Sequence, residues 1–442
     1  MEYDDAVSYM SDLASALGCR PGLARFTELC ARLGNPHEKL RCVHVGGTNG
    51  KGSTTAMIAN ILKSAGYRVG GYYSPFVYDL RERVQLDGGM ITKASFARLM
   101  NAIRPVADEM GRTPFGHPTE FEVKTALAFL YFVEQNVDFA VLEVGLGGRL
   151  DTTNIVIPLV SVITNVTLDH MDRLGDTIGE IAGEKAGIVK SGVPLVTAAR
   201  EPDATDVFRR TCEERGSELI RVSPGSDDRV YSVDDAPTEI APECDGLTLV
   251  GRRSVHPGLK IRMSGKFQFA NAATAVAAIE VLQDKGIEVP ESAIREGIET
   301  AYMPGRLEVL QEKPMLVIDA AHNLDGARQL AHAMETSFSY DRLIVVMGMV
   351  KGHSPENAVG TLAPLADEFI ATTPNSPRRR PASEIAEVAS KYCENVREIE
   401  PVTEAVNRAL ESAGENDLVL VTGSFYTIGE VPRPSAESSP SS

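Results

Sequence analysis

Basic residues are scarce in this chain of 442 residues: 44 Lys and Arg stand against 61 Asp and Glu, a formal charge of −17. Duplex binding draws its affinity from clustered Lys and Arg that neutralise phosphates, so the balance argues against a general nucleic-acid binder while leaving room for a local basic pocket. Tryptophan is absent. The six cysteines (Cys19, Cys30, Cys42, Cys212, Cys244, Cys393) include no C-x-x-C pair and no zinc spacing. Reduced thiols in a cytosol fit them. Apolar runs of about 18 residues are also missing, and MEYDDAVSYMSDL lacks the basic and apolar regions of a signal peptide. A cytoplasmic protein without a membrane partner is expected.

The length suits roughly two or three domains of about 150 residues. From residue 41 short β-type runs alternate with helical stretches: RCVHVGG, YRVGGYYS, DFAVLEVGLGG, LVSVITNV and VPLVTAA as strands, STTAMIANILKSAG and VKTALAFLYFVEQN as helices. That alternation predicts a doubly wound α/β domain over 1–300, preceded by N-terminal helices. Residues 200–262 turn acidic and turn-rich, which predicts a small β excursion of the same domain. After Pro304 the alternation restarts with MLVIDAAHN, RLIVVMGMV, EFIATTP and DLVLVTGS, predicting a smaller Rossmann-like α/β domain over 301–430. The Pro/Ser-rich end, 431–442, reads as a disordered tail.

The stretch 43–55, VHVGGTNGKGSTT, departs from the usual phosphate loop, G-x-x-x-x-G-K followed by Ser or Thr. Its context is still strand, glycine loop, helix. Glycines let backbone N–H groups turn inward around an anion, the helix N-terminus favours negative charge, and Lys51 can reach terminal phosphates. A tight turn with a surface lysine is the plainer reading. Three further clusters follow strands. VLEVGLGGRLDTTN places Glu143 at a strand end, where open α/β sheets bind ligands, or makes it half of a buried ion pair. ITNVTLDHMDRLG sets His170 beside Asp169 and Asp172, as a metal ligand or a turn cap. In the second domain PGRLE, DAAHN and VTGSFYTIGE carry Arg306, Asp319, His322 and Ser424; Arg306 suits bidentate phosphate binding.

Taken in order, GTNGKGS, EVGLGGRLDTTN, LDH, EKAGI and the VTGS-Y-GE ending resemble the folylpolyglutamate synthases and their bifunctional dihydrofolate synthase relatives, within the Mur-type ATP-dependent amide ligases. The resemblance runs from about residue 5 to 430. It implies that Thr48, Asn49, Gly50, Lys51, Gly52 and Ser53 hold ATP phosphates, and that Ser74, Glu143 and His170 bind magnesium. Lys185 of GEKAGI stands where the family carries a carbamylated lysine serving a second metal. Gln268, Asn271, Arg306 and Asp319 match ATP positions, and His322 and Ser424 glutamate-side positions. Thr119, Glu120, Phe121 and Glu122, with Leu150, Asp151 and Thr152, correspond to the pterin-substrate pocket, to which Arg25 and Phe26 are added as further candidates.

The implied activity is ATP-driven addition of L-glutamate to a folate or dihydropteroate through an acyl phosphate. Lys51, Glu143, His170 and Lys185 are the catalytic set, with ATP, two Mg2+ sites and a monovalent cation as cofactors, in a monomer. Three departures stand out: Phe76 and Phe267 replace usual histidines, and VKGHSPEN follows the strand at 343–349 in place of an acidic, lysine-rich patch. The choice between dihydropteroate and tetrahydrofolate, or both, stays open. A cell-wall Mur ligase would need a further N-terminal domain, for which the roughly 40 residues ahead of the loop are too few. A Mur-type ligase for another carboxylate and an inactive nucleotide-binding relative are the remaining alternatives; intact Lys51, Glu143, His170 and Lys185 speak against the second.

Overall fold

A computed structural model describes residues 1–18, 20–234 and 246–433. They form two compact units, one of Met1–Arg262 and Gln268–Tyr302, the other of Met263–Phe267 and the chain from Met303 on.

Among the described residues of the first unit, eleven strands share one sheet. In chain order they are β1 (Cys42–Gly46), β2 (Val69–Tyr72), β3 (Val84–Leu86), β4 (Gly89–Met90), β5 (Phe139–Glu143) and β6 (Val160–Ile163). Then come β7 (Leu195–Thr197), β8 (Leu219–Pro224), β9 (Val230–Val233), β10 (Leu247–Val250) and β11 (Val255–Leu259). Across the sheet the order is β11-β10-β9-β8-β7-β6-β1-β5-β2-β3-β4. From β8 through β2 all neighbours run parallel. Every residue of β1, β5 and β6 is buried, as expected of strands covered on both faces. One cover packs Ala6, Met10, Phe26, Leu29, Met100, Phe129 and Phe132 of four helices over Tyr72, Ala140 and Leu142. On the other face Ile181 and Phe208 pack with Ile163 and Leu195. Strand succession reverses at β1, with β5 and β2 on one side and β6 on the other, so the loops leaving β1 and β6 open side by side.

The stretch 200–262 departs from the expected β excursion. It opens with the helix Pro202–Arg215, and its strands extend the main sheet as β8 to β11. Proline presets the helical φ in a first turn. Ala204, Phe208 and Cys212 then recur every four residues and bury one face, a periodicity masked by the acidic composition around them. Part of this stretch, 235–245, lies outside the described residues, as do Cys19, Cys244 and the expected tail from 434 on.

The second unit holds β12 (Glu308–Glu312), β13 (Met315–Ile318), β14 (Leu343–Gly348), β15 (Glu368–Thr372), β16 (Val396–Glu398) and β17 (Leu418–Thr422). Their order is β12-β13-β17-β14-β15-β16, parallel except for the β12–β13 pair. Helices Leu324–Thr336, Pro355–Leu362, Ala382–Ala389 and Val402–Ser412 cover it. The molecule is thus α/β, a doubly wound sheet followed by a smaller Rossmann-like one. Among the described residues no helix is long and apolar enough to cross a membrane.

Candidate functional site

The loop between β1 and the helix Lys51–Ser64 is shaped by two glycines. Gly47 (φ 137°) faces the Thr164 side chain so closely that a Cβ would overlap it, and Gly50 (φ 81°) faces the Asn271 amide in the same way. The end of β6 holds the loop. Thr48 N donates to Asn165 O at 2.9 Å, Asn49 N to Asn165 Oδ1 at 2.8 Å, and Thr167 N to Thr48 Oγ1 at 3.1 Å. Gly50 N-caps the helix without a side-chain acceptor of its own, the arrangement that suits an anion at a helix N-terminus. Lys51 is folded back, its Nζ donating to Thr48 O at 2.8 Å and Gly47 O at 3.2 Å. Gly52 and buried Ser53 follow in the first turn. Ser53 Oγ accepts from Gln268 Nε2 at 3.4 Å, and Gln268 Oε1 accepts from Asn271 Nδ2 at 2.9 Å. Gln268 and Asn271 thereby brace the loop from below.

Beside this loop, β5 ends in buried Glu143, in register with Val45 of β1. Its Oε2 accepts the Ser74 N–H at 2.8 Å, and Ser74 Oγ accepts from Arg83 Nη2 at 3.0 Å. His170 sits at φ 49° with its N–H on Asp169 Oδ1 at 2.9 Å, at the start of the short helix Met171–Leu174. Lys185 is buried and donates to Gly47 O at 2.8 Å. Burial, with Lys51 nearby, lowers its pKa to about 7 against the opposing pull of Asp169. A carboxylate and a hydroxyl are oxygen donors of the kind that hold a hard divalent cation, and an imidazole adds a nitrogen donor.

Around the first turn of the helix Glu120–Glu134, Thr119 and Glu122 form a capping box. Glu122 Oε2 accepts from Thr119 N at 2.7 Å, Thr119 Oγ1 at 3.0 Å and Arg25 Nε at 2.7 Å, while its buried Oε1 has no partner. Glu120 is ion-paired to buried Lys124. Phe121 covers Gly145, where a Cβ would strike its ring. Asp151 lies under that loop: its carboxylate accepts from Gly145 N, Leu146 N and Thr153 N at 2.9 to 3.0 Å and from Thr153 Oγ1. Burial raises the pKa of Asp151 and these bonds oppose the rise. Thr153 in turn meets buried His44, whose Nε2 is 2.8 Å away and whose pKa burial drives down to about 3. Thr152 joins a hydroxyl chain, Thr152–Thr125–Tyr72, with steps of 2.9 and 3.0 Å. Leu150 is exposed. Phe26, a further candidate for this pocket, is wholly buried in the helical core, 6.1 Å from the ring of Phe129.

In the second unit, Asp319 directly follows β13 and accepts from Leu307 N at 2.9 Å and Ala321 N at 2.8 Å. Burial raises its pKa, opposed by Arg306. The Arg306 guanidinium lies 4.9 Å from the Phe425 ring centre. Ser424 N-caps the short helix Phe425–Gly429. His322 Nδ1 donates to Ala320 O (2.8 Å), and its ring is 4.6 Å from that of His353. His353, from the departing VKGHSPEN stretch, therefore lies beside a glutamate-side candidate, and Phe267, the other departure in this unit, packs on the unit's core.

Sequence patterns did not single out Arg83 or Lys124. Lys124 carried one signal, a lone cation in the apolar run VKTALAFLYF. Arg83, in LRERVQL, reads as one charge among several on a surface.

Residues 45–279 match the Mur ligase middle domain and 305–425 the Mur ligase glutamate ligase domain. The dihydrofolate synthase/folylpolyglutamate synthase of Bacillus subtilis is 38% identical over 436 residues, spanning 97% of this chain and 98% of that protein. A structure of Escherichia coli FolC in complex with DHPP and ADP is 31% identical, with a TM-score of 0.83 over 96% of both chains. The bifunctional folylpolyglutamate synthase/dihydrofolate synthase of Yersinia pestis, complexed with AMPPNP and Mn ion, is 30% identical, with a TM-score of 0.81 over 97% of both chains.

Proposed function

The chain belongs to the folylpolyglutamate synthase family of Mur ligases, and on that premise we propose that it joins L-glutamate to the carboxylate of a folate or dihydropteroate at the expense of ATP. The observation that carries the reading is the register of β1 with β5, which sets the glycine loop with Lys51 beside the Glu143–Ser74 pair. A phosphate cradle and an oxygen-rich cation site on neighbouring strand ends suit phosphoryl transfer to a carboxylate.

In the first step an acceptor carboxylate oxygen bonds to the γ-phosphorus as the bond to ADP breaks, giving an acyl phosphate. The glutamate amine then attacks the acyl carbon, phosphate leaves, and the amine proton passes to solvent. Amides of Gly50 to Ser53 orient the phosphates, while Thr48 and Asn49 fix the loop on Asn165. Lys51 exchanges the Thr48 and Gly47 carbonyls for the transferred phosphoryl group, offsetting its charge. Ser74, Glu143 and His170 would hold a divalent metal, which when bound would supply positive charge to offset that of the transferred phosphoryl group. We place a second divalent site at Lys185. A lysine whose pKa is about 7 is partly neutral near pH 7, and only the neutral amine adds CO2 to become a carbamate. Thr119 to Glu122 with Leu150, Asp151 and Thr152 form the acceptor side, and His322 and Ser424 the glutamate side. The described cysteines Cys30, Cys42, Cys212 and Cys393 are free and buried, which suits a reducing cytoplasm.

The test uses purified protein with ATP, Mg2+ and labelled glutamate, offering dihydropteroate and tetrahydrofolate in parallel. Label enters at least one acceptor with stoichiometric ADP. ADP release that neither acceptor stimulates overturns the reading.

A further inference from the structure

Arg83 is a buried guanidinium with no carboxylate of its own. It is 6% exposed, and no acidic side chain among the described residues pairs with it. Nη2 donates to Ser74 Oγ at 3.0 Å, and Nε is buried without any partner. Its carbon centre lies 5.3 Å from the Phe121 ring centre and 5.8 Å from that of Tyr72. Lys124 is the second buried cation of the cluster. Its pKa is held well below the usual lysine range by burial and by the nearby Arg83, and Glu120 is its ion-pair partner. Lys124 has Glu120 as its carboxylate, whereas Arg83 bonds no carboxylate directly and is linked to buried Glu143 through the Ser74 they both contact. Burying a charge without a counter-charge carries a heavy desolvation penalty, and structures retain it where an anion arrives.

The place of the surplus charge names the anion. The Ser74 bond sets the guanidinium at the cation end of the pocket, where the acyl–phosphate bond has to form. The Phe121 contact sets it at the acceptor end. A guanidinium lying on a ring face keeps its N–H edge for a carboxylate oxygen.

We propose that Arg83, backed by Lys124, is the clamp that receives the acceptor's reacting carboxylate and holds it beside Ser74 for attack on the γ-phosphorus. The assignment rests on the ligase reading above and adds to it the residue that selects a carboxylate-bearing acceptor. Held by one oxygen on Arg83, the carboxylate keeps the other free to attack, so the clamp works through orientation.

ATP carries the same anionic chemistry, and the experiment separates the two sources. Binding of dihydropteroate and of its uncharged carboxamide analogue is measured by calorimetry at saturating AMPPNP, and AMPPNP binding alone in parallel, for wild type, Arg83→Gln, Arg83→Lys and Lys124→Met. Wild type prefers the carboxylate. Arg83→Gln weakens dihydropteroate by about 30-fold, the scale expected when one partner of a buried charge pair is removed, and leaves the carboxamide and AMPPNP affinities unchanged. Arg83→Lys and Lys124→Met lose part of the preference. A variant that weakens AMPPNP instead, or an Arg83→Gln protein that still prefers the carboxylate, overturns the clamp. Should Arg83→Gln not fold, Arg83→Lys decides by the same preference. Wild type that adds glutamate to neither acceptor refutes the ligase reading; active wild type with an unchanged preference in Arg83→Gln refutes the clamp alone.

Discussion

Lys51 and Lys185 share one acceptor, the carbonyl oxygen of Gly47, at 3.2 and 2.8 Å. Burial, and then the repulsion of two ammonium groups on one oxygen, lower the Lys185 pKa to about 7. Lys51→Ala should abolish turnover, by about 100-fold or more if Lys51 offsets phosphoryl charge as one strong donor does. It should also move the Lys185 pKa upward, so bicarbonate-dependent gain of one CO2 mass on Lys185 needs higher pH in the variant. Intact-mass spectrometry against pH reads this; near-normal glutamate-dependent phosphate release in Lys51→Ala would remove Lys51 from the phosphate site.

The sign of the Lys185 effect on stability follows from its depressed value. Between about pH 7 and the ordinary lysine range the folded protein carries this amine neutral while the unfolded chain still binds the proton, so its contribution to stability rises with pH across that window. Urea melts of Lys185→Met and wild type, compared over the same window, should show the slope flattened in the variant.

A separate buried pair, His256 and Glu280, predicts stability limits on both sides. Glu280 accepts the N–H groups of Arg252 (2.8 Å), Arg253 (3.0 Å) and Ser254 (3.3 Å), and lies 3.3 Å from His256 Nε2; His256 Nδ1 is 2.6 Å from Glu291. Burial alone would lower the His256 pKa, but the two glutamates hold it above its usual value; burial likewise opposes the lowered pKa of Glu280, which His256 and the backbone donors outweigh. The His256 contribution is complete below the unfolded histidine pKa and lost as pH rises through the raised folded value. The Glu280 contribution is present above the unfolded carboxylate pKa and lost as pH falls through the lowered folded value. Glu280→Gln should cost about 3 kcal/mol near neutral pH, remove the acid flank from a plot of unfolding free energy against pH, and shrink the alkaline flank, which Glu291 still supports.

Gly47→Ala combines two faults, a φ of 137° and overlap with Thr164. The backbone term alone is about 1–3 kcal/mol. We expect a lower melting temperature and loss of AMPPNP binding, with Thr164→Ala added in the same chain relieving the overlap but not the strain. Full AMPPNP affinity in Gly47→Ala would mean that the loop tolerates another path.

Asp151→Asn should act through the loop. Among the described residues, every hydrogen bond of the Asp151 carboxylate is accepted from residue 145, 146 or 153, so an amide would turn a donor toward donors. The acceptor KM should rise with the ATP KM unchanged, and exchange at the Gly145 and Leu146 amides should quicken in the absence of acceptor. Unchanged exchange with a raised KM would instead make Asp151 a direct acceptor contact.

The glycine loop and Glu143 were legible because each is local: glycines at fixed spacing after an apolar run, a carboxylate where a strand stops. The helix Pro202–Arg215 had a readable four-residue repeat that composition hid. The staple on Thr48 and Asn49 had no local trace, since its partners lie 116 to 119 residues away. Arg83 shared that fate. Its neighbours Glu82 and Arg81 are tied to Asp79 or to backbone of residues 77–79, and only the packing of Phe121 and Tyr72 turns one charge of that group inward.

The helix Phe267–Asp284 is pinned at both ends by buried polar side chains, Gln268 and Asn271 against the glycine loop and Glu280 against the β10–β11 edge. Those pins stand twelve residues apart, about 18 Å along a straight rod. A rod fixed at two points carries displacement from one to the other, so acid that loosens the far edge of the sheet would be felt as a wobble in the phosphate cradle before the protein unfolds.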